Sequence, residues 1–326
     1  MGHKRTGEPY DRKARVSLRA ELVRIGVRWF IKRRRRPTVA AARRSIRAAA
    51  RWIPSPPAGT EVRAVDAGGV PGELVATAAS RLDRHVLFLH GGGYVTGSPA
   101  LYRHFTWRIA TAARAHVLAI DYRLAPEHPF PAALDDALAA YRWLLAGTAD
   151  PQRTAVLGDS AGGGLALALL LKLRDNGLVL PAAAVALSPW TDLALTGASL
   201  SLSAKSDPML NPADARLFAG CYLADTDPRN PYASPLYGNP AGLPPTLIHV
   251  GSDEILHDDA VRMAENLRAA RCQVQIEVWP RMPHGWHLFA PVLPEARTAI
   301  AGIGAFADQV FAGSPGRDQD SEKMRQ

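Results

Sequence analysis

The sequence predicts an α/β fold built on a mostly parallel, eight-stranded sheet flanked by helices. From Glu61 onward, short apolar runs alternate with segments of helical pattern, as expected when helices connect parallel strands. The chain has 326 residues, 47% hydrophobic and 21% charged, which is enough for one large globular domain or two small ones. The longest apolar stretch, around Leu165–Leu171, is far too short to span a bilayer.

The alternation defines eight candidate strands and five helices. The strands are expected at Glu61–Val65, Glu73–Ala78, His85–Leu89, Val117–Ile120, Thr154–Leu157, Ala183–Leu187, Thr246–Val250 and Val274–Val278. The helices are expected at about 101–114, 132–145, 161–175, 257–271 and 293–311. Residues 190–240 are rich in Pro, Ser and Asn and contain one helical stretch, near Pro212–Tyr222, so we expect an insertion outside the sheet.

The N-terminal segment has a different character. Residues 1–51 hold 17 Lys and Arg against 3 Asp and Glu, a net charge of +14, whereas the remainder holds 22 basic and 27 acidic residues, a net charge of −5. Leu18, Leu22, Ile25 and Trp29 recur at steps of four, three and four, which predicts an amphipathic helix. A second helical stretch ends near Arg51, before the proline-rich hinge at 54–57.

These features divide the chain into a basic helical segment (1–55), an α/β domain with its insertion (56–312) and a polar tail (313–326). The two cysteines, Cys221 and Cys272, cannot build a disulfide framework or a thiolate metal site by themselves, which favours a reducing compartment. The sequence shows no basic start that leads into the apolar core of a signal peptide, and we expect a cytoplasmic protein. A solvated helix face is the default interpretation of the basic segment, and docking to nucleic acid or anionic lipid is the alternative.

The first candidate chemical motif is Gly158-Asp159-Ser160-Ala161-Gly162. It follows an apolar strand and precedes a helix, and its glycines leave room for a tight strand-to-helix turn. Such a turn places the serine hydroxyl above the edge of the sheet, at a helix N-terminus. The pattern therefore predicts Ser160 as a nucleophile.

A second motif, His90-Gly91-Gly92-Gly93, closes the strand His85–Leu89. Consecutive glycines allow backbone N–H groups to approach a substrate without intervening side chains. Phosphate binding is the competing interpretation, but neither a G-K-[ST] motif nor a lysine follows in Tyr94-Val95-Thr96-Gly97. We therefore expect this loop to stabilise a developing oxyanion.

A serine nucleophile needs a base and a carboxylate that orients the base. His284, in a loop after the last predicted strand and beside Gly285, is the best-placed of ten histidines. Asp253 follows directly after the strand Thr246–Val250, and Glu254 is its nearest rival. The expected triad is Ser160, Asp253 and His284, in the chain order of α/β-hydrolases.

Together, these motifs resemble the hormone-sensitive-lipase-like family of bacterial esterases and carboxylesterases, which have the α/β-hydrolase fold. The resemblance covers about residues 60–311 and rests on His90–Tyr94, Asp121–Ala132, Gly158–Gly163, Gly251–Glu254 and His284–Gly285. It implies hydrolysis of carboxylic esters, lactones among them, by the triad, with an oxyanion hole formed by the N–H groups of Gly91, Gly92 and Ala161. It also implies a helical cap made of the N-terminal segment and the insertion.

No metal or organic cofactor is expected, because the histidines lack H-E-x-x-H or comparable ligand spacing and no Gly-x-Gly-x-x-Gly follows a first strand. The expected partner is a small-molecule ester substrate. Nucleic acid is not expected as a partner, and peripheral membrane contact through residues 1–51 is an alternative. Many members of the family pair through the edge strand of the sheet, here residues 274–278. Some members instead bind a small ligand after losing the catalytic histidine. His284 is retained here, which argues against that alternative.

The expected substrate pocket combines residues of the cap with residues near Ser160. Its candidates are Trp29, Phe30, Tyr94, Asp159, Trp190, Met209 and Phe218. Ordinary packing between cap and sheet is the alternative for each of them. A capped pocket favours short or medium acyl chains over long ones.

Overall fold

An eight-stranded sheet forms the centre of the computed structural model, which describes residues 16–32, 38–51, 53–147 and 149–313. The strands are β1 (Glu61–Asp66), β2 (Pro71–Ala76), β3 (His85–Leu89), β4 (His116–Ile120), β5 (Thr154–Asp159), β6 (Ala183–Leu187), β7 (Thr246–Gly251) and β8 (Val274–Trp279). Their spatial order is β1-β2-β4-β3-β5-β6-β7-β8. Strand β2 is antiparallel to both of its neighbours, and all the other pairs are parallel.

Helices cover both faces of the sheet and build the cap. They are α1 (Leu18–Val27), α2 (Val39–Ala50), α3 (Pro99–Ala112), α4 (Ala132–Ala146), α5 (Ala161–Asp175), α6 (Ser199–Leu202), α7 (Pro212–Leu223), α8 (His257–Ala269) and α9 (Pro294–Gly313). A π-helical turn, Arg28–Lys32, continues α1. Short 3₁₀ turns lie at Pro151–Arg153, Pro235–Tyr237 and Trp286–Phe289.

The predicted fold class is confirmed. All eight expected strands are present, and the five expected helices begin and end within two residues of their predicted bounds. The helix expected in the insertion is α7. The predicted tail lies outside the described residues, apart from Gly313. In the described part of the chain, no helix combines the length and apolar character needed to cross a bilayer.

The central strands are apolar on both sides because helices cover both faces. In β3, Val86 and Phe88 belong to the core beneath α3 and α9. Leu87 and Leu89 belong to the core beneath α4 and α5. This alternation explains why all five residues of β3 are buried.

The sheet determines where the motifs meet. In the parallel part of the sheet, the carboxyl ends of β3, β5, β7 and β8 lie at one edge. The loops that follow these four strands carry the glycine motif, Ser160, the two adjacent carboxylates and His284. Strand β8 is the outermost strand at its side of the sheet, and dimerisation through residues 274–278 stays a prediction.

Helix α9 packs closely against α3 at Gly304, where a Cβ would overlap the carbonyl oxygen of Ala112. Gly302, in the same helix, has open space around it. We expect Gly304→Ala to lower the free energy of unfolding by about 1–3 kcal/mol through overpacking. Gly302→Ala should raise it by about 0.5–1 kcal/mol because alanine favours helix. Urea denaturation would measure both, and shifts in the same direction would contradict the close approach.

Candidate active site

Ser160 lies in a sharp turn between β5 and α5, with φ +58° and ψ −118°. A Cβ on Gly158 would overlap the carbonyl oxygen of Gly162, and a Cβ on Gly162 would overlap that of Leu89. Both flanking glycines are therefore required by close backbone contacts. The strained conformation at Ser160 is typical of functional serines at such turns.

A chain of two hydrogen bonds links Ser160, His284 and Glu254. The Nε2 atom of His284 lies 2.8 Å from the Oγ atom of Ser160, and its Nδ1 atom lies 2.7 Å from the Oε2 atom of Glu254. The second oxygen of Glu254 accepts hydrogen bonds from the Ser188 hydroxyl and from the Gly251 N–H. A hydroxyl, an imidazole and a carboxylate are thus aligned in a buried site, which is the arrangement that serine nucleophiles require.

The expectation that Asp253 supplies the carboxylate is wrong, because Glu254 occupies that place. Asp253 points to the cap, where its Oδ2 atom accepts a hydrogen bond of 2.8 Å from the Nη1 atom of Arg24. The two carboxylates are adjacent in one turn after β7, and only Glu254 contacts the imidazole of His284. Glu254 is fully buried, whereas 16% of the Asp253 side chain is exposed.

Two opposing effects determine the pKa of His284. Burial lowers it, but the carboxylate of Glu254 raises it by its charge and by its hydrogen bond, with further help from Asp159 and Asp207. The net result is a pKa above the ordinary histidine value of 6.5. The imidazolium that forms when His284 takes a proton is therefore stabilised.

The N–H groups of the glycine loop after β3 differ in whether they already have a hydrogen-bond acceptor. The Gly91 N–H donates to the Tyr102 hydroxyl at 3.1 Å, so it is already engaged. Gly92 and Gly93 have φ values of +121° and +64°. Within the described residues, the N–H groups of Gly92, Gly93 and Ala161 have no hydrogen-bond acceptor. The engaged N–H of Gly91 therefore does not fit the expected oxyanion hole, whereas those of Gly92 and Ala161 still fit it, and Gly93 offers a further N–H that the sequence did not indicate.

Tyr102 joins the glycine loop to the serine turn. Its hydroxyl accepts from the Gly91 N–H and donates to the Oδ2 atom of Asp159 at 2.8 Å. Burial raises the pKa of Asp159 and, with the nearby Asp159 carboxylate, that of Tyr102. His90 stacks on Tyr122 at 4.2 Å and steadies the start of the same loop.

A cavity of about 570 Å³ has Ser160 and His284 in its wall. Four of the seven expected pocket residues line it, namely Asp159, Trp190, Met209 and Phe218. Much of the remaining wall is not indicated by the sequence. It includes Ala42 and Ile46 of α2 and a loop after His284 that contains Leu288, Phe289 and Val292. The alanine-rich pattern of α2 indicated a helix but not the direction of its side chains.

Three expected pocket residues lie elsewhere. Tyr94 is 1% exposed and stacks on Tyr222, with a ring distance of 3.7 Å, so it packs behind the cavity wall. Trp29 and Phe30 are 59% and 69% exposed and are not in the wall. The reason is the orientation of α1, whose buried face is formed by Ala20 and Val27 rather than by its large apolar residues.

Comparisons with known proteins identify the family. A family model described as "alpha/beta hydrolase fold" matches residues 86–288. The chain belongs to the alpha/beta hydrolase family. Within this family it belongs to the hormone-sensitive-lipase-like bacterial esterases, and the expectation of an ester-hydrolase class is confirmed at that level.

The chain is similar to an acetyl-hydrolase of Streptomyces hygroscopicus. The two sequences are 53% identical over 223 residues, which cover 68% of this chain and 75% of the relative. A solved esterase of the bacterial hormone-sensitive lipase family is 43% identical, with a TM-score of 0.87, and the match covers 91% of this chain and all of that one. The esterase EstE5, solved after soaking with p-nitrophenyl butyrate, is 38% identical, with a TM-score of 0.86 and coverage of 91% and 100%.

The contrast between Glu254 and Asp253 can be tested with matched variants. Glu254→Gln keeps the shape but removes the charge that faces His284, and it should lower kcat for p-nitrophenyl acetate by about 10³-fold or more. Asp253→Asn should lower it less than about tenfold, because this carboxylate touches Arg24 instead. Equal losses in both variants would contradict the assignment.

The Tyr102 hydroxyl can be removed without changing the ring. Tyr102→Phe leaves the Gly91 N–H and a buried oxygen of Asp159 without this partner. We expect kcat to fall by about 10- to 100-fold with little change in KM, because the loop loses its position relative to Ser160. Tyr141→Phe is the control, because the Tyr141 hydroxyl donates to the Val179 carbonyl and neither residue lines the cavity. A rise in KM alone would contradict the positioning role.

Proposed function

We propose that this protein is a serine esterase in which Ser160 attacks the carbonyl carbon of a carboxylic ester. The observation that carries the proposal is the unbroken relay from the Ser160 hydroxyl through His284 to Glu254, with distances of 2.8 and 2.7 Å. A serine hydroxyl is a weak nucleophile near neutral pH, and such a relay is what activates it.

The acylation step uses each group in turn. His284 takes the hydroxyl proton through Nε2 as the Ser160 oxygen bonds to the carbonyl carbon. The negative charge that develops on the carbonyl oxygen is received by the N–H groups of Gly92, Gly93 and Ala161, which have no other acceptor among the described residues. As the tetrahedral intermediate collapses, His284 gives its proton to the departing alcohol oxygen, and an acyl-enzyme remains.

Deacylation repeats the sequence with water. His284 removes a proton from the water molecule, whose oxygen attacks the acyl carbon, and the same three N–H groups receive the second oxyanion. The proton then returns to the Ser160 oxygen as the carboxylic acid leaves. Glu254 keeps its charge throughout and stabilises the imidazolium in both half-reactions.

We place the substrate among esters of short to medium acyl chains. The wall of the cavity is mainly apolar, with Trp190, Leu210, Phe218 and Leu288 among its residues. A volume of about 570 Å³ suits small esters. The name acetyl-hydrolase of one relative and the p-nitrophenyl butyrate used with another point to the same size range. A lactone is an internal ester and is open to the same attack.

The cap role of residues 1–55 and 190–240 is part of this proposal. Helix α2 contributes Ala42 and Ile46 to the cavity, and the insertion contributes Met209 and Phe218. Arg43 of α2 forms a bidentate ion pair with Glu127, with two hydrogen bonds of 2.7 Å. This ion pair connects α2 to the α/β domain. Two separate parts of the chain therefore close over Ser160.

A ligand-binding protein without catalysis is the alternative, and the retained His284–Ser160 contact argues against it. The test is labelling with a fluorophosphonate, followed by mass spectrometry of the Ser160 peptide. Wild type should be labelled and should hydrolyse p-nitrophenyl acetate, and Ser160→Ala should do neither. An unlabelled wild type, or hydrolysis that survives in Ser160→Ala, would overturn the proposal.

The dependence of kcat/KM on pH tests the role of His284. Only neutral imidazole can accept the proton, so the rate should rise with pH, with a midpoint above 6.5 because the pKa is raised. In Glu254→Gln the charge that raises the pKa is gone while burial, which lowers it, remains. The midpoint of the residual activity should therefore move down. An unchanged midpoint would contradict the electrostatic role of Glu254.

Acyl-chain preference is tested with p-nitrophenyl acetate, butyrate, octanoate and palmitate. We expect the highest kcat/KM for acetate or butyrate, because one methylene more or less in an apolar pocket changes discrimination by about 1–3 kcal/mol. A palmitate optimum would contradict the short-chain proposal without affecting the serine mechanism.

A further inference from the structure

Helix α1 exposes a row of large apolar side chains. Leu18, Leu22 and Ile25, here called the α1 stripe, are 76%, 60% and 56% exposed. Their spacing of four and three places them on one face of the helix. Trp29 and Phe30, in the turn that follows, are also more than half exposed. Ten large apolar side chains are exposed in the described part of the chain, and these five are half of them.

Beside the buried Ala20 and Val27, the side of α1 that faces the rest of the protein carries arginines rather than the large apolar residues of the helix. Arg24 donates to Asp253 and to the Arg281 carbonyl. One turn later, Arg28 donates to the carbonyls of Lys205 and Ser206. Turning the α1 stripe inward would break these bonds, so the helix is held with its apolar face outward.

The charge of the surrounding segment indicates what covers the stripe. Residues 1–51 carry a net charge of +14, and four consecutive arginines, 33–36, follow the exposed turn. The rest of the chain carries a net charge of −5. The α1 stripe is thus close in sequence to a dense positive charge. This combination is complementary to an anionic lipid bilayer, whose interior is apolar and whose headgroups are negative.

Two other occupants fit the same features less well. Pairing of two copies through α1 would bring two segments of charge +14 together, and their repulsion opposes it. Nucleic acid would neutralise the charge but would leave the apolar side chains in water, because its outer surface is phosphate.

The N-terminal end of α1 contacts a segment close in sequence to the cavity wall. The backbone N–H of Ser17, which precedes α1, donates to the Oε1 atom of Glu295 at 3.1 Å. Val292, three residues before Glu295, lines the cavity and is 53% exposed.

We propose that the α1 stripe docks this protein on anionic phospholipid bilayers, with its side chains at the depth of the headgroups and the neighbouring basic residues against the phosphates. The proposal goes beyond ester hydrolysis and does not depend on it. It requires both the apolar side chains and the charge, since a partly apolar, basic helix binds through both.

The test is co-sedimentation of the full chain with vesicles of phosphatidylcholine alone or with phosphatidylserine. The double variant Leu22→Ser/Ile25→Ser removes most of the stripe, and Leu82→Ser/Val179→Ser removes two side chains that are 82% and 60% exposed elsewhere. We expect wild type and the control to bind phosphatidylserine vesicles equally, and the stripe variant to bind at least about tenfold more weakly. High salt should weaken the binding of wild type.

Thermal unfolding of both variants checks that they fold. Their unfolding temperatures should equal that of wild type, because all four substituted side chains are exposed. Failure of wild type to bind, equal binding to both kinds of vesicle, or full binding by the stripe variant would overturn the proposal. Sedimentation velocity distinguishes self-association: a wild-type dimer that becomes a monomer in the stripe variant would also overturn it. None of these outcomes depends on whether Ser160 is the nucleophile.

Discussion

The hydrogen bond between His284 and the buried carboxylate of Glu254 holds the site together. It joins a loop after β8 to a turn after β7, and no other described contact aims the imidazole at Ser160. Removing a charge or a polar group from the middle of such a buried chain leaves its partner unsatisfied, which is costly away from water. The Ser188 hydroxyl and the Gly251 N–H complete the hydrogen bonding of Glu254, so its orientation is defined by three neighbours.

A second set of buried polar contacts joins the glycine loop to the turn that carries Ser160. Tyr102 links the Gly91 N–H to Asp159, the residue that precedes Ser160. The glycine loop and the serine turn come from adjacent parallel strands, so one side chain can span both. In this arrangement the Gly91 N–H is engaged, and those of Gly92 and Gly93 have no acceptor among the described residues. Asp159 therefore has a structural role, as the acceptor of the Tyr102 hydrogen bond, that its position in the serine motif does not indicate.

The cap connects the site to the surface of the molecule. Arg24 pairs with Asp253, the residue next to Glu254, so the inner face of α1 rests on the loop that carries the buried carboxylate. The same contact turns the apolar residues of α1 outward. One ion pair thus explains both why Asp253 is absent from the relay and why Trp29 and Phe30 are absent from the cavity wall.

The sequence by itself determined the alternation of strands and helices, the serine turn, the glycine loop and the histidine, because these depend on local periodicity and on backbone space at particular glycines. Only the tertiary structure decided which of two adjacent carboxylates faces His284, which glycine N–H is already bonded, and which face of α1 points inward. Those three outcomes depend on partners in other elements of the fold, namely His284 for Glu254, Tyr102 for Gly91 and Asp253 for Arg24. The direction of a side chain in space follows from such packing and not from its spacing along the sequence.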